Sequence, residues 1–306
     1  MRARQISLAT SVGSVSLDAC VMTAAGTAGY GDELSAYGDL SQLGAVVVKS
    51  LASFEWLGNP APRVAPAGEA MINAVGLSGP GVTAWRRDSL PALLARRATV
   101  VASIWGRSAA EFGAAAELLV GAEVAAVEVN ASCPNLEDRA ALFAHSVRAT
   151  AEVVDAARVC GKPLWVKLSP NTPDIVAVAA AAVEAGAEAV TLTNTVLGLD
   201  IDIETGRPTL GNGGGGLSGG PILPIALRAV YDVRAALGEL PIVGVGGVVN
   251  GRDALAMIMA GANAVQVGTA SFATPRAPWK VQSDMRRWMA RHGVVALSDI
   301  RGRSHG

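Results

Sequence analysis

The chain is poor in cysteine, in aromatic residues and in charge. Its three cysteines, Cys20, Cys133 and Cys160, are odd in number and widely spaced. That argues against a disulfide framework and against a zinc site, so a reducing cytoplasmic setting and no bound metal are expected. Aromatics make up 4% of the 306 residues, too few for platforms that stack nucleic-acid bases. The net charge of −1 removes a general attraction for nucleic acid or an anionic membrane surface. No run of about 20 uncharged apolar residues offers a membrane span. Residues 1–18, interrupted by Arg, Ser, Thr and Gly, lack the apolar centre of a secretion signal.

What the chain does have is apolar material in a regular rhythm. Hydrophobic residues make up 51% and charged residues 17%, a composition with ample core for one large domain spanning residues 1–306. Short Val-rich runs occur at 20–25, 45–48, 100–103, 124–129, 163–166, 189–192, 241–245 and 264–267. Their unbroken hydrophobicity is that of parallel strands buried on both faces. Ala-rich helical segments at 109–121, 146–160, 174–185, 224–237 and 252–260 alternate with them. Gly121, Gly186 and Gly261 each end a helix and lead into the next strand. Eight alternating units predict a (β/α)8 (TIM) barrel. Residues 6–17 read as a hairpin closing the barrel bottom, and 52–81 and 197–220 as inserted loops over its mouth. A doubly wound sheet is the weaker reading, because no G-x-G-x-x-G follows the first strand.

Barrel chemistry collects at the C-terminal ends of the strands. Those ends carry Lys49 and Ser50, Asn130 and Ser132 with Cys133 and Asn135, Lys167, Thr193 with Asn194 and Thr195, Gly246 and Gly247, and Gly268 and Thr269. Lysine is scarce: Lys49, Lys162, Lys167 and Lys280 are the only four, yet two of them sit on apolar strands. A buried ammonium is costly unless paired, so either both snorkel to the rim or both face an anionic ligand. The terminal glycines would let backbone N–H groups approach a phosphate, although Gly also serves tight turns for steric reasons. The run at 211–216 reads as a flexible lid or a ligand-side turn. Asn73, Asn130, Asn135 and Asn194 offer both donors and acceptors; turn chemistry explains Asn73 and Asn135 equally well. Cys133, on a polar loop at a strand end, is the candidate reactive thiol, while Cys20 and Cys160 read as structural.

Ten segments, in order and covering nearly the whole chain, resemble the dihydroorotate dehydrogenases. They include Thr-Ala-Ala-Gly-Thr (23–27), Val-Lys-Ser (48–50), Gly-Asn-Pro-Ala-Pro-Arg (58–63), Asn-Ala-Val-Gly-Leu (73–77), Asn-Ala-Ser-Cys-Pro-Asn (130–135), Val-Lys-Leu-Ser-Pro-Asn (166–171), Thr-Asn-Thr (193–195) and Gly-Val-Gly-Gly-Val (244–248). A cysteine at 133 is similar to class 1 of that family, and residues 217–227 look more like its type B.

The resemblance implies an FMN enzyme oxidising dihydroorotate to orotate in pyrimidine synthesis. Cys133 would be the general base at C5, with hydride passing from C6 to the flavin. It implies FMN contacts from Ala25, Gly26, Lys49, Ser50, Ser103, Asn130, Lys167, Thr193, Gly219, Gly246, Gly247, Gly268 and Thr269. Substrate would meet Lys49, Asn73, Ala74, Val75, Gly76, Leu77, Asn130, Asn135, Asn194 and Thr195. A homodimer is implied, and an iron–sulfur FAD reductase subunit making an NAD-linked heterotetramer. The chain departs from the family at Ala25, where a Ser hydroxyl is usual, at Ser103, where many members have Asn, and at 136–145, which lacks a Gly pair. The residues alone also allow an FMN enzyme for another dihydropyrimidine, a Schiff-base lyase using Lys167, or a non-catalytic FMN-binding relative.

Overall fold

The computed structural model describes residues 6–132 and 143–306. Eight strands form one parallel sheet: β1 (Val21–Thr23), β2 (Val46–Val47), β3 (Val100–Ile104), β4 (Ala126–Asn130), β5 (Leu164–Leu168), β6 (Ala189–Leu192), β7 (Ile242–Val245) and β8 (Ala264–Val267). The order runs β1-β8-β7-β6-β5-β4-β3-β2. The two ends then meet. The N–H of Gly44 donates to Val21 O at 2.8 Å and that of Thr23 to Ala45 O at 3.2 Å, closing the barrel. The Thr23 hydroxyl completes the seam, accepting from the Val47 N–H at 2.8 Å and donating to Val47 O at 3.2 Å. Gly44 is required at this join, since a Cβ there would lie 2.1 Å from Ala19 O.

Most strand residues are buried, as their Val-rich sequence requires. Helices α1 (Val82–Asp88), α2 (Leu90–Ala95), α3 (Ala109–Glu117), α4 (Val147–Ala157), α5 (Ile175–Glu184), α6 (Leu223–Leu237), α7 (Gly251–Met259), α8 (Ala270–Ala273) and α9 (Ala277–His292) follow the strands. Side chains start several of them: Ser108, Ser146, Asp174 and Asn250 each accept from a first-turn N–H. Gly121, Gly186 and Gly261 adopt φ of 69°, 109° and 119°, the left-handed region expected of them. Helix α9 was not among the expected helices, although Val281, Met285 and Met289 repeat every four residues and are buried.

The N-terminal hairpin pairs Thr10–Val12 with Val15–Leu17. It plugs the bottom by burying Val12 and Leu17, and is tied to the strand entrances by Thr10 Oγ1 donating to Asn263 O and Asn263 Nδ2 to Ser11 O. The two inserted segments are more ordered than loops. Val64–Ala67, Ala70–Asn73, Gly215–Ser218 and Val196–Gly198 form one four-stranded antiparallel sheet over the barrel mouth, with Ala65, Ile72 and Leu210 as a small core. The glycine run is therefore partly strand. A Cβ on Gly215 would lie 2.5 Å from Asn73 O, and one on Gly216 would lie 2.1 Å from Thr195 Oγ1. Glycine serves close sheet packing there, and a flexible lid is the wrong description. No helix among the described residues is long and apolar enough to cross a membrane.

Thr23→Val keeps the shape of the seam but strands the Val47 N–H in a dry wall. It is expected to cost about 1–3 kcal/mol, seen as a lower midpoint in chemical denaturation.

Candidate active site

Between the strand ends and the antiparallel sheet lies a cavity of about 580 Å³. Gly246, Gly247, Gly268 and Thr269 line it, as do Asn73 to Leu77. Ala25, Gly26, Lys49, Ser50, Asn130, Lys167, Thr193, Asn194, Thr195 and Gly219 also line it. Of the described candidate residues, only Ser103 does not reach the cavity. It is fully buried beneath Ser50, whose hydroxyl lies 2.9 Å from its own. Cys133 and Asn135 lie outside the described residues; Ser132, which precedes Cys133 in the chain, lines the cavity and donates to Lys167 O at 3.2 Å.

Strand register brings the polar groups together. Asn130 of β4 pairs with Lys167 of β5, and Lys167 with Thr191 of β6. Lys167 is thus within its strand, not beyond it as the apolar run suggested, and is 5% exposed. Above it the amides form a floor. Asn130 Nδ2 donates to Ser50 Oγ, and Asn194 Nδ2 donates to Asn130 Oδ1, each at 3.3 Å. Asn194 Oδ1 accepts from the Thr195 N–H at 2.8 Å, and Asn73 Nδ2 donates to Gly216 O at 3.2 Å. The amides are held by the chain and by one another, so both turn chemistry and orientation are satisfied.

The loop 73–77 is braced by Asn59, which also lines the cavity, and by Trp56. Asn59 Nδ2 donates to Ala74 O, the Asn59 N–H to Val75 O and Trp56 Nε1 to Gly76 O. That bracing holds Leu77 at φ 60°, a conformation that costs a non-glycine residue about 1–3 kcal/mol. Asn59 lay inside a quoted motif but was not singled out. Asn171 was missed in the same way: its Nδ2 donates to Thr195 O and its Oδ1 accepts from the Leu197 N–H, fixing the entry to the antiparallel sheet. The signal for both was an amide in a recognisable segment; what was lacking was its distance from the pocket.

Two ammonium groups face this space, and among the described residues no ion pair joins either one. Burial, and secondarily the charge of Lys167, pushes Lys49 down to about 8. Burial also lowers Lys167, with Glu128 opposing. The folded chain therefore binds fewer protons than the unfolded one between about pH 8 and 10.5 at Lys49, and this group alone makes the fold more stable as pH rises through that window. An anion between the lysines would reverse the shift.

Two glycines and a threonine at strand ends supply another stretch of the cavity wall. Gly246 and Gly247 have φ of 118° and 77°, and a Cβ on Gly247 would lie 2.6 Å from Leu223. Among the described residues the Gly247 and Thr269 N–H groups have no acceptor within the chain, which leaves them for a ligand. Thr193 Oγ1 is likewise buried without a partner at the cavity wall.

Comparison with known proteins agrees with this arrangement. The family model described as dihydroorotate dehydrogenase matches residues 7–289. The chain belongs to the dihydroorotate dehydrogenase family. It is 42% identical over 297 residues to a protein of Geobacter sp. (strain M21), covering 96% of this chain and 97% of the relative. It is 43% identical over 293 residues to one of Alkaliphilus oremlandii (strain OhILAs), covering 95% and 97%. It is 44% identical over 285 residues to one of Solidesulfovibrio magneticus (strain ATCC 700980 / DSM 13731 / RS-1), covering 92% and 93%. All three are named dihydroorotate dehydrogenase B (NAD(+)), catalytic subunit. The barrel expected from the sequence is the barrel observed.

A carboxylate ligand entering the cavity near pH 8 is expected to take up protons at Lys49. The uptake, a fraction of one proton per site, would appear as a dependence of calorimetric binding heat on the buffer's ionisation enthalpy. Proton release would contradict the assignment.

Proposed function

We propose that this chain oxidises dihydroorotate to orotate with FMN held across the barrel mouth, as a step of pyrimidine synthesis in the cytoplasm. The observation that carries the reading is the convergence of two lysines without salt-bridge partners among the described residues, an oriented amide floor and a glycine cradle on one cavity. FMN supplies the acceptor for the hydride that leaves C6 of the substrate.

The residues fit that group. Gly246, Gly247, Gly268 and Thr269 would hold the phosphate, with Gly219 beside them: a Cβ on Gly219 would lie 3.6 Å from the Thr269 methyl. Thr193 offers its unpartnered hydroxyl and Lys167 a positive charge. Ala25 can offer only backbone, next to Gly26, whose missing side chain leaves room for Lys49 at 3.3 Å. Ser50 and Asn130 would present polar atoms to the ring, and Ser103 would act only through Ser50. Substrate would lie against Lys49, residues 73–77, Asn130, Asn194 and Thr195, joined by Asn135.

Cys133 would take the C5 proton as a thiolate while the C5=C6 double bond forms. The other thiols cannot substitute. Burial pushes Cys20 up to about 12 and raises Cys160, and neither lines the cavity. The relatives' names, with NAD(+) and a catalytic subunit, support the further proposal of an iron–sulfur FAD partner subunit on a homodimer of this chain.

The purified protein is expected to be yellow and to turn over dihydroorotate in preference to dihydrouracil or dihydrothymine. A colourless protein trapped by borohydride at Lys167 would instead favour a Schiff-base enzyme. Cys133→Ala is expected to retain flavin absorbance and lose about 10²–10⁴ in kcat. In the wild type kcat should rise with pH toward thiol ionisation near about 8.5. Full activity in Cys133→Ala would refute the base.

A further inference from the structure

The barrel interior holds one carboxylate that the proposed chemistry does not use. Glu128 lies on β4, two residues before Asn130 and so on the same face of the strand, and it is fully buried. Its Oε2 accepts from Thr191 Oγ1 at 3.1 Å and from Gln266 Nε2 at 2.8 Å, while Oε1 has no hydrogen-bond partner. Gln266 Oε1 is a second buried acceptor with no partner. Both donors are turned onto Oε2, and a charge buried in a dry barrel, of either sign, is costly without an opposite charge nearby.

The strand between those of Glu128 and Thr191 carries Lys167, which makes no salt bridge to the carboxylate. Thr191, one of the donors to Glu128, pairs with Lys167 in the sheet register. The charged groups around Lys167 are Glu128 below it on β4 and Lys49 across the cavity from the end of β2; the lysine repels and only the carboxylate attracts. We propose that Glu128 is a positioning residue for Lys167, a buried carboxylate on the neighbouring strand that holds and stabilises the ammonium in the absence of water. Lys167 then presents a fixed positive charge to whatever occupies the cavity, and Lys49 becomes the lysine whose proton responds to the ligand. The inference rests on the proposed function only for the meaning of that charge, since the pairing itself belongs to the chain.

Glu128→Gln tests it with little change of shape. The amide oxygen can keep both hydrogen bonds, and the new N–H₂ replaces one unpartnered acceptor and brings a donor toward the other, Gln266 Oε1. A purely structural role therefore predicts unchanged or improved stability and no change in the lysines. With four lysines in the chain, ¹³Cε-lysine NMR resolves each titration, and Lys167 and Lys49 are assigned by substituting them in turn. In the full-length protein, with and without FMN, Glu128→Gln is expected to lower the Lys167 midpoint by at least one unit, a tenfold change in its acid constant. The Lys49 midpoint is expected to rise, because its repelling neighbour loses charge. General loosening would move both toward the free value together and would overturn the proposal, as would an unmoved Lys167. Should the Gln variant not fold, Glu128→Asp keeps the charge but withdraws it by one methylene; a smaller fall at Lys167 is expected, and no fall overturns the pairing. Failure to oxidise dihydroorotate leaves these titrations unaffected and would count against the proposed function alone.

Discussion

Holding an ammonium group at the end of a buried strand is the constraint on which the site depends. Removing such an ion from water costs several kcal/mol, even after relaxation. A barrel whose inner layers were filled with Val and Ile alone could not bear it. The chain meets the cost in two places. Beneath Lys167 it keeps Glu128, Thr191 and Gln266 in a layer that would otherwise be apolar. Above it the chain leaves a cavity lined with amides, into which both lysines point their charge without a salt-bridge partner. The first arrangement is permanent; the second is complete only with an anion present. A fold that tolerates uncompensated positive charge on one side of a cavity is selective for what enters there.

That constraint also orders the rest of the molecule. The antiparallel sheet narrows the mouth, and it does so with glycines, because Gly215 and Gly216 lie against Asn73 O and Thr195 Oγ1 at distances no side chain could share. The loop 73–77 is braced by Asn59, which itself lines the cavity, and by Trp56. Its polar atoms are therefore oriented before any ligand arrives, which spares binding the cost of ordering them. Elsewhere on the cavity wall Gly246 and Gly247 bring backbone within reach of a ligand where any Cβ would strike α6 or its entrance.

The barrel was legible because its strands are buried on both faces and its helices end in glycine. Both are local patterns, and both survive in the runs at 124–129, 163–166 and 241–245. The antiparallel sheet was not legible. Its strands are three or four residues long, rich in Gly and Ala, and Asn73 meets Gly216 across 143 residues of chain. No periodicity within either segment announces a partner so distant. Helix α9 could have been read from the spacing of Val281, Met285 and Met289, but its many charges hid the apolar stripe.

The site was legible in kind more than in detail. Lysines and amides that interrupt apolar strands stand out in any sequence, and those at 49, 130, 167 and 194 did meet at one cavity. Asn59 and Asn171 did not stand out, although both line the cavity, because they act on backbone and lie in segments already dense with turn residues. The family resemblance implied a flavin contact for Ser103; the strand runs on to Ile104, and Ser103 is fully buried with its hydroxyl against that of Ser50. Glu128 lies within the apolar run at 124–129 and was not singled out. A carboxylate in the middle of an apolar run is as costly as a lysine there, and reading the two as one pair across neighbouring strands needs the register that sets Asn130 beside Lys167. Sequence shows where charge is being buried, and register decides which opposite charge makes that burial tolerable.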